Sequence, residues 1–401
     1  MTTTSIAPLT GTQRVLAVRT ESWREHVDAL GPAPRLSSDE LIRLVDSAGL
    51  TGRGGAGFPT ARKIAAVAAS RRTPVVVGNA MEGEFLSHKD RTLLDQAPHL
   101  VLDGLDILGR ALGSRRLILA TGERIDSTRV RRAAAERPGR LVDVRDLGGG
   151  FIGGQESALV SQLNGRAAVP QDPHTPVYVR GIDGRPTLVA NAETLAQLAL
   201  LARFGPDWFR SQGTPDDPGT FLISVSGLTP PSVLEVPRGI RLREVLLQAG
   251  VPLERVGAVL LGGYHGTWLR PGTGDVRLCE EDLSPYGAST GAGILHVLSV
   301  DSCGLRVSAE IATYLAAQAA GQCGPCVNGM PRMADTLTRL AVPGSDPRLV
   351  AEVDRLRGLV IGRGACAHPD GTARFVASTM LVFARHVEAH LRGECHETSV
   401  D

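Results

Sequence analysis

Apolar residues recur at two different spacings along the chain, and the switches between them outline its elements. Ser37-Ser38-Asp39-Glu40 has the spacing of a capping box ahead of Leu41, Ile42, Leu44 and Val45, with Gly49 as a stop, which predicts a helix. A glycine-rich loop from Thr51 to Pro59 follows, then a helical stretch to Arg72. Pro74-Val-Val-Val-Gly78 is a short apolar run suited to a buried strand. Asp90 to Leu112 predicts helix, Arg116 to Thr121 strand, Ser127 to Glu136 helix and Leu141 to Val144 strand. A second glycine turn, Gly148 to Gly154, opens a helical pattern from Gln155 to Leu163, and an apolar helix from Ala192 to Phe204 closes the region. Strands alternating with helices predict an α/β layer fold with parallel strands.

From Thr220 the texture changes. Phe221 to Val225, Val233 to Val236 and Ala258 to Leu261 are strand-like, and Leu242 to Ala249 is a short helix, so a small α+β domain is expected. After Ser302 the pattern is helical almost throughout, with breaks near Gly321, Gly344 and Gly364, which predicts a C-terminal helical bundle. Residues 1–36 carry no clear period and are expected to form an N-terminal extension. The organisation expected is an extension at 1–36, an α/β domain at 37–205, the small α+β domain at 218–298 and the bundle at 303–395.

Composition narrows the function classes. Of 401 residues 42% are apolar and 21% charged, and the net charge is +1, so no basic field exists to hold nucleic acid or an anionic membrane. The start lacks the charged and apolar regions of a signal peptide, and no apolar run approaches the ~18 residues of a spanning helix. A cytoplasmic protein without a transmembrane segment is expected. Six cysteines in such a chain point to metal or redox use where they cluster rather than to a disulfide framework. The basic residues number 43, yet only Lys63 and Lys89 are lysine, and both lie beside glycine-bearing loops.

Three loops could carry chemistry. Thr51-Gly-Arg-Gly-Gly-Ala-Gly-Phe-Pro-Thr60 opens a helix, so its backbone N–H groups can face an anion, with Arg53 and Lys63 adding charge. A tight turn packing helix on sheet is the structural alternative. Gly78-Asn-Ala-Met-Glu-Gly-Glu84 follows the apolar strand and leads into Lys89-Asp-Arg91, placing carboxylates and amides where α/β folds bind ligands. A solvated, charged loop is the alternative there. Leu147-Gly-Gly-Gly-Phe-Ile-Gly-Gly-Gln-Glu-Ser157 repeats the order of strand, glycine turn and helix.

Together with Pro186-Thr-Leu-Val-Ala-Asn-Ala-Glu-Thr194, these segments resemble, in order and spacing over residues 40 to 395, the flavin site of one family. It is the 51-kDa, FMN- and NADH-binding subunit of respiratory complex I, with its relatives in NAD-reducing hydrogenases and formate dehydrogenases. The resemblance implies an N-terminal flavin-binding α/β domain, a ubiquitin-like SLBB domain and an iron–sulfur-type helical bundle. It places FMN against Arg53, Gly54, Gly55, Gly57, Lys63, Asn79, Glu82, Gly154, Asn191 and Thr194, with Phe58 as an aromatic near the nucleotide. Glu84 and Glu156 match the carboxylates that border the nicotinamide, and would be the catalytic pair. The activity implied is that of an NADH dehydrogenase-type, FMN-dependent oxidoreductase subunit. It would accept hydride from NAD(P)H onto FMN and pass single electrons to an iron–sulfur or ferredoxin-like partner.

Departures from the family pattern keep two alternatives open. Met81 stands where aspartate is usual, Gln155 replaces the first of two adjacent glutamates, and the stretch Val169 to Tyr178 lacks the lysine and aromatics that grip the nucleotide's far end. A divergent module that keeps FMN but no longer uses NADH is the runner-up, and a non-catalytic ligand-binding protein is a third reading. The cysteine signature departs as well. Ala320 occupies the first ligand position, leaving Cys323, Cys326 and Cys366 as metal ligands for a 4Fe–4S or degenerate cluster. His368, Cys303 or solvent could be the fourth ligand. Cys279 and Cys395 are expected to be packing or surface residues, His88 and His265 ordinary loop or surface residues, and the ten histidines to offer no metal-ligand spacing such as His-x-x-x-His.

Overall fold

The computed structural model describes residue 9 and residues 11–139, 141–171, 175–273 and 275–395. Contacts divide the chain into two compact units, the first comprising Met1–Ala168, His174–Ile223 and Val233–Ile240, the second the remainder. Among the described residues no helix is long and apolar enough to cross a membrane.

In the first unit the helices are α1 (Trp23–Leu30), α2 (Ser38–Ala48), α3 (Thr60–Ala68), α4 (Lys89–Gln96), α5 (Pro98–Ala111), α6 (Ser127–Glu136), α7 (Gly150–Gly153), α8 (Glu156–Leu163) and α9 (Ala192–Arg210). The strands β1 (Val75–Ala80), β2 (Arg116–Thr121), β3 (Val142–Asp146) and β4 (Thr187–Asn191) form one sheet of order β3-β2-β1-β4. Every pair is parallel, with Val77 opposite both Ile118 and Val189. Side chains alternate across it. Val76, Leu117, Leu119 and Leu188 enter one core with α5 and α9, while Val75, Val77, Ile118 and Val189 enter another with Leu159 and Val160 of α8. Both faces are covered, which is why β1 reads as an unbroken apolar run. Gly104 sets how closely α5 meets α9, because a Cβ there would stand 2.1 Å from the Leu195 carbonyl oxygen.

The capping box forms as the spacing predicts. Ser37 Oγ accepts from the Glu40 N–H, Glu40 reaches back to the Ser37 N–H, and Gly49 ends α2 in the left-handed region. The described part of the first 36 residues packs onto the first unit. Helix α1 lies within them, and its buried His26 meets the Asp103 carboxylate of α5 at 2.7 Å. Further upstream, the N–H groups of Arg14, Val15 and Leu16 all donate to the buried Glu235 carboxylate, which also accepts from Thr220 Oγ1.

Beside His26 on α5, His99 is buried, with its pKa depressed to about 4 by burial and the nearby His26 and Arg137. It is therefore neutral at pH 7, and its 3.4 Å approach to Glu136 is not an ion pair there. The unfolded chain takes up this proton near pH 6.5, whereas the folded chain resists it down to about 4. The stabilisation is thus complete above pH 6.5 and is lost as pH falls toward 4, at up to about 1.4 kcal/mol per pH unit. A midpoint temperature measured against pH should fall across this window, and less steeply in His99→Phe. An unchanged slope in that variant would refute the assignment.

Two strands, β5 (Thr220–Ser226) and β6 (Ser232–Pro237), lie where the unit division crosses the chain. In the second unit the strands are β7 (Val256–Leu261), β8 (Thr267–Leu269) and β9 (Ile294–Ser299). β9 pairs in parallel with Ser224–Ser226 of β5 and antiparallel with β7, and β7 pairs antiparallel with β8. The helices are α10 (Leu242–Gln248), α11 (Glu280–Leu283), α12 (Gly304–Ala317), α13 (Met330–Leu340), α14 (Arg348–Val360), α15 (His368–Val382) and α16 (Ala384–Leu391), with a π-helical turn at Pro325–Gly329. Trp268 of β8 is fully buried and joins strand to helices, its indole N–H donating to Ser308 Oγ at 3.0 Å and its ring meeting Phe383 edge-on.

Candidate functional site

The first two glycine loops and the start of α9 converge at the C-terminal ends of β1 and β4. Asn79 and Asn191 are opposite one another in the parallel register. The loop at 51–59 closes on itself through the Gly52 N–H to the Phe58 carbonyl, and docks through the Arg53 N–H to Thr194 Oγ1 at 2.8 Å. Asn191 caps α9, its Oδ1 accepting from the Glu193 N–H while its Nδ2 donates to Asp90 at 2.7 Å. Lys89 Nζ donates to Asp90 and Asn191 Oδ1 and lies 3.1 Å from Glu193. Burial alone would lower the Lys89 pKa, but Asp90 and Glu193 outweigh it and push it upward. Lys89, Asp90 and Glu193, all buried, thus join the partly exposed Asn191 in one network that fixes the floor of the site.

Arg53 is the exception to this pairing. Its side chain is buried, and Nη1 donates to Thr51 Oγ1, but among the described residues Nε and Nη2 have no hydrogen-bond partner, and Glu193 stands 4.0 Å away. Burial and the nearby Arg238 depress its pKa to about 10, against the opposing charges of Glu193 and Asp217. A buried guanidinium with unmade hydrogen bonds is costly, and an anionic ligand with oxygen acceptors removes that cost. The donor set suits the phosphate of a mononucleotide.

Around this floor, Asn79 Nδ2 donates to the Gly154 carbonyl at 2.9 Å and ties the second loop to the third. Gly83 lets the same loops touch, since a Cβ there would lie 2.3 Å from the Gly150 carbonyl oxygen. Lys63 Nζ donates to Glu156 at 2.6 Å and to the Val189 carbonyl. Phe58 is half exposed at 49% and belongs to the rim. Gly54 faces Asn191 Cβ, while Gly55 and Gly57 take positive φ in the turn. The contacts therefore join Arg53, Thr194, Asn191, Asn79 and Gly154 on one side and Lys63 with Glu156 on the other. The Glu84 carbonyl accepts from Arg124 Nη2.

Glu82 is engaged elsewhere than the resemblance implies. With φ at 41°, its carboxylate accepts from Ser87 Oγ and from the Asp90 and Arg91 N–H groups, capping the first turn of α4. Arg124, which no local signal in the sequence marks, organises the same loop by donating to the carbonyls of Glu82, Glu84, Phe85 and Ser87. Met81 is buried against Gly154, and Gln155 caps α8 by accepting from the Ala158 N–H.

In the second unit, Cys323 and Cys326 bring their sulfurs to 3.3 Å at the π-helical turn. Burial with Cys323 and Cys366 pushes the Cys326 thiol up to about 11, and burial with Cys323 also raises the Cys366 thiol. The three thiols thus influence one another electrostatically, and they are the three that the resemblance implies as cluster ligands. His368 is not available as a fourth. Its Nε2 lies 2.9 Å from the Leu315 carbonyl, so that nitrogen carries the proton, and its Nδ1 accepts from His265 Nε2 at 2.8 Å. His265 is accordingly no ordinary loop residue; burial, with His368 and Arg374, drops its pKa to about 3. Cys303 is also otherwise engaged, 3.4 Å from His390 Nε2. Nor is Cys395 isolated, because Cys303, His390 and Cys395 hold their ligand atoms within 4.8 Å of one another. Against the expectation of no such spacing, His386-Val-Glu-Ala-His390 is a His-x-x-x-His pair, of which His390 alone joins the cluster while His386 Nδ1 accepts from the Gly304 N–H.

Comparison with known proteins agrees with this geometry. Residues 45–200 match the Nuo51 FMN-binding domain, and residues 306–390 match the NADH-ubiquinone oxidoreductase-F iron–sulfur binding region. The chain is 30% identical over 377 residues to the second F-type NADH-quinone oxidoreductase subunit of Rhizobium meliloti strain 1021, covering 88% of this chain and 89% of that protein. It is 29% identical over 386 residues to the F-type NADH-quinone oxidoreductase subunit of Escherichia coli K12, covering 89% and 85%. Among solved structures, a chain of NAD+-reducing NiFe-hydrogenase in its air-oxidized state superposes with a TM-score of 0.84 at 27% identity, over 96% of this chain and 67% of that one. The H2-reduced state gives 0.80 at 28%, over 88% of this chain and only 63% of the hydrogenase chain. The chain belongs to the family of F-type NADH-quinone oxidoreductase subunits, the complex I 51-kDa family, and carries its FMN-binding domain and its 4Fe–4S-binding region.

Proposed function

We propose that this chain is the flavin-bearing component of a nicotinamide-linked oxidoreductase, receiving hydride from NAD(P)H at FMN and delivering single electrons to an iron–sulfur, ferredoxin-like partner. The observation that carries the reading is Arg53, a buried cation with two unsatisfied nitrogens, set among glycine turns inside the matched FMN-binding segment. When bound, FMN supplies the conversion of a two-electron hydride into single electrons, and an iron–sulfur centre supplies the one-electron relay.

The chain's own residues bind and orient. Arg53 supplies a preformed cationic fork and the Thr194 hydroxyl fixes its loop, so binding an anion requires little reordering. Lys63 is held by Glu156 and the Val189 carbonyl, keeping its ammonium in place at the third loop. Glu156 (39% exposed) and Glu84 would border the nicotinamide, with Phe58 offering apolar surface beside them. Glu82 contributes by holding the loop that carries Asn79 and Glu84, its carboxylate being occupied by α4. Cys323, Cys326 and Cys366 would hold the cluster, with Ala320 leaving one iron to an outside ligand. An SLBB-like character for 218–298, the bundle at 303–395 as its own module, and a cytoplasmic location suited to six free thiols complete the reading.

A second reading, FMN retained but electrons drawn from a protein partner, is favoured by Met81 and Gln155. The first is buried and the second caps α8, so neither offers a carboxylate to a dinucleotide. Anaerobic purification followed by flavin and iron quantification and nucleotide addition separates the readings. One FMN per chain, bleached by micromolar NADH or NADPH, is expected. Bound FMN that neither nucleotide bleaches would select the second reading, and failure to bind FMN on reconstitution would refute both.

A further inference from the structure

We propose that Cys303, His390 and Cys395 form a second metal site, for a single zinc-type ion, separate from the cysteine trio at Cys323, Cys326 and Cys366. The three ligand atoms lie within 4.8 Å of one another, and Cys303 Sγ stands 3.4 Å from His390 Nε2. Bonds of about 2.3 Å to sulfur and about 2.0 Å to nitrogen at tetrahedral angles place such a pair about 3.5 Å apart. The Cys303–His390 pair is therefore already spaced for one ion, and the Cys395 sulfur lies within 4.8 Å of both. Two thiolates and an imidazole are the donors that a borderline-soft divalent ion takes. An iron–sulfur cluster, by contrast, spreads its thiolates over separate irons.

The supporting frame is built for fixed geometry. Cys303 is fully buried at the N-cap of α12, and His390 is fully buried in the last turn of α16. One turn earlier on the same face of α16, His386 Nδ1 accepts from the Gly304 N–H at 3.1 Å and holds that helix against the start of α12. Cys395 follows shortly after α16 and is the one partly exposed member of the set. With three protein ligands the fourth position falls to solvent. The ion would staple the first and last helices of the bundle and the segment that follows them.

The test uses the full chain, stripped with chelator, reloaded with zinc and analysed for bound metal. One zinc per chain is expected, lost in Cys395→Ser and in Cys303→Ser, and kept in Cys326→Ser. Since Cys303→Ser alters a buried position, a measurement on the unaltered chain stands beside it. Zinc should shield Cys395 from iodoacetamide, read by mass spectrometry, and chelator should expose it. Cobalt(II) in place of zinc should give thiolate charge-transfer absorption that Cys395→Ser weakens. Zinc retained in Cys395→Ser, zinc lost only in Cys326→Ser, or a Cys303–Cys395 disulfide in anaerobically reduced protein that takes up no metal would each overturn the proposal.

Discussion

Arg53→Leu should leave the protein colourless. Its Nε and Nη2 wait unbonded in a buried setting, and hydrogen bonds between a charged donor and a ligand are worth about 1.5–3 kcal/mol each. Losing two of them should weaken FMN retention by roughly two to four orders of magnitude, since 1.4 kcal/mol is about tenfold. Two effects compete in the empty protein. The hydrogen bond from Nη1 to Thr51 is lost, but so is the burden of an unsatisfied buried cation, and Glu193 keeps its contacts with Lys89 and the Leu222 N–H. The second effect offsets the first, so the flavin-free variant should melt within a few degrees of the unaltered chain. Flavin content after gel filtration and a melting curve of the apoprotein read the two separately. A binding role predicts a large fall in the first with little change in the second. A purely structural role predicts the reverse. Arg53→Lys restores charge without the planar fork and should recover only part of the affinity.

Much of the flavin site is legible in the sequence because its signals are local. Glycines at fixed offsets after apolar strands announce turns whatever lies beyond them, and the capping box at Ser37 and Glu40 lies within one turn of chain. Residues whose task depends on distant partners are not legible. Glu82 sits inside a recognisable motif, but its assignment to the α4 N-terminus depends on how the following residues fold back. Arg124 gathers four carbonyls from nearly forty residues upstream, and nothing beside it in the sequence foretells that. Helix α1 is hidden for the same reason, because its stability lies in Asp103 of α5 rather than in its own eight residues. Likewise, strand-like texture near residue 218 suggests a new domain, whereas Glu235 and Thr220 bond into the first unit. The pair His386 and His390 is the opposite case, a local pattern whose two rings take different tasks, His390 beside Cys303 and Cys395 and His386 at the Gly304 N–H.

Asp103→Asn should cost more stability than any other single polar substitution in the first unit. The carboxylate is fully buried and accepts from His26 at 2.7 Å and from the guanidinium groups of Arg137 and Arg203, both themselves largely buried. Burial alone would raise its pKa, but the hydrogen bond from His26 and the charges of Arg203 and Arg137 hold it well below the usual carboxylate range. Removing the one anion leaves two buried cations facing each other, and breaking a buried pair in this way costs about 3–5 kcal/mol. The exposed pair of Arg116 and Asp183 provides the internal control, since surface pairs contribute about 0–1 kcal/mol. Urea unfolding should therefore show a large drop in midpoint for Asp103→Asn and almost none for Arg116→Ala. The pH dependence supplies a second discriminator. A depressed carboxylate pKa gives stability that is present above the unfolded value near 3.9 and lost only as pH falls through the lower folded value. Asp103 therefore contributes nothing to losses between pH 6.5 and 4, which belong to buried neutral histidines such as His99. If Asp103→Asn unfolded at nearly the same urea concentration as the unaltered chain at pH 7, the four-residue hub would not be what anchors α1 to α5.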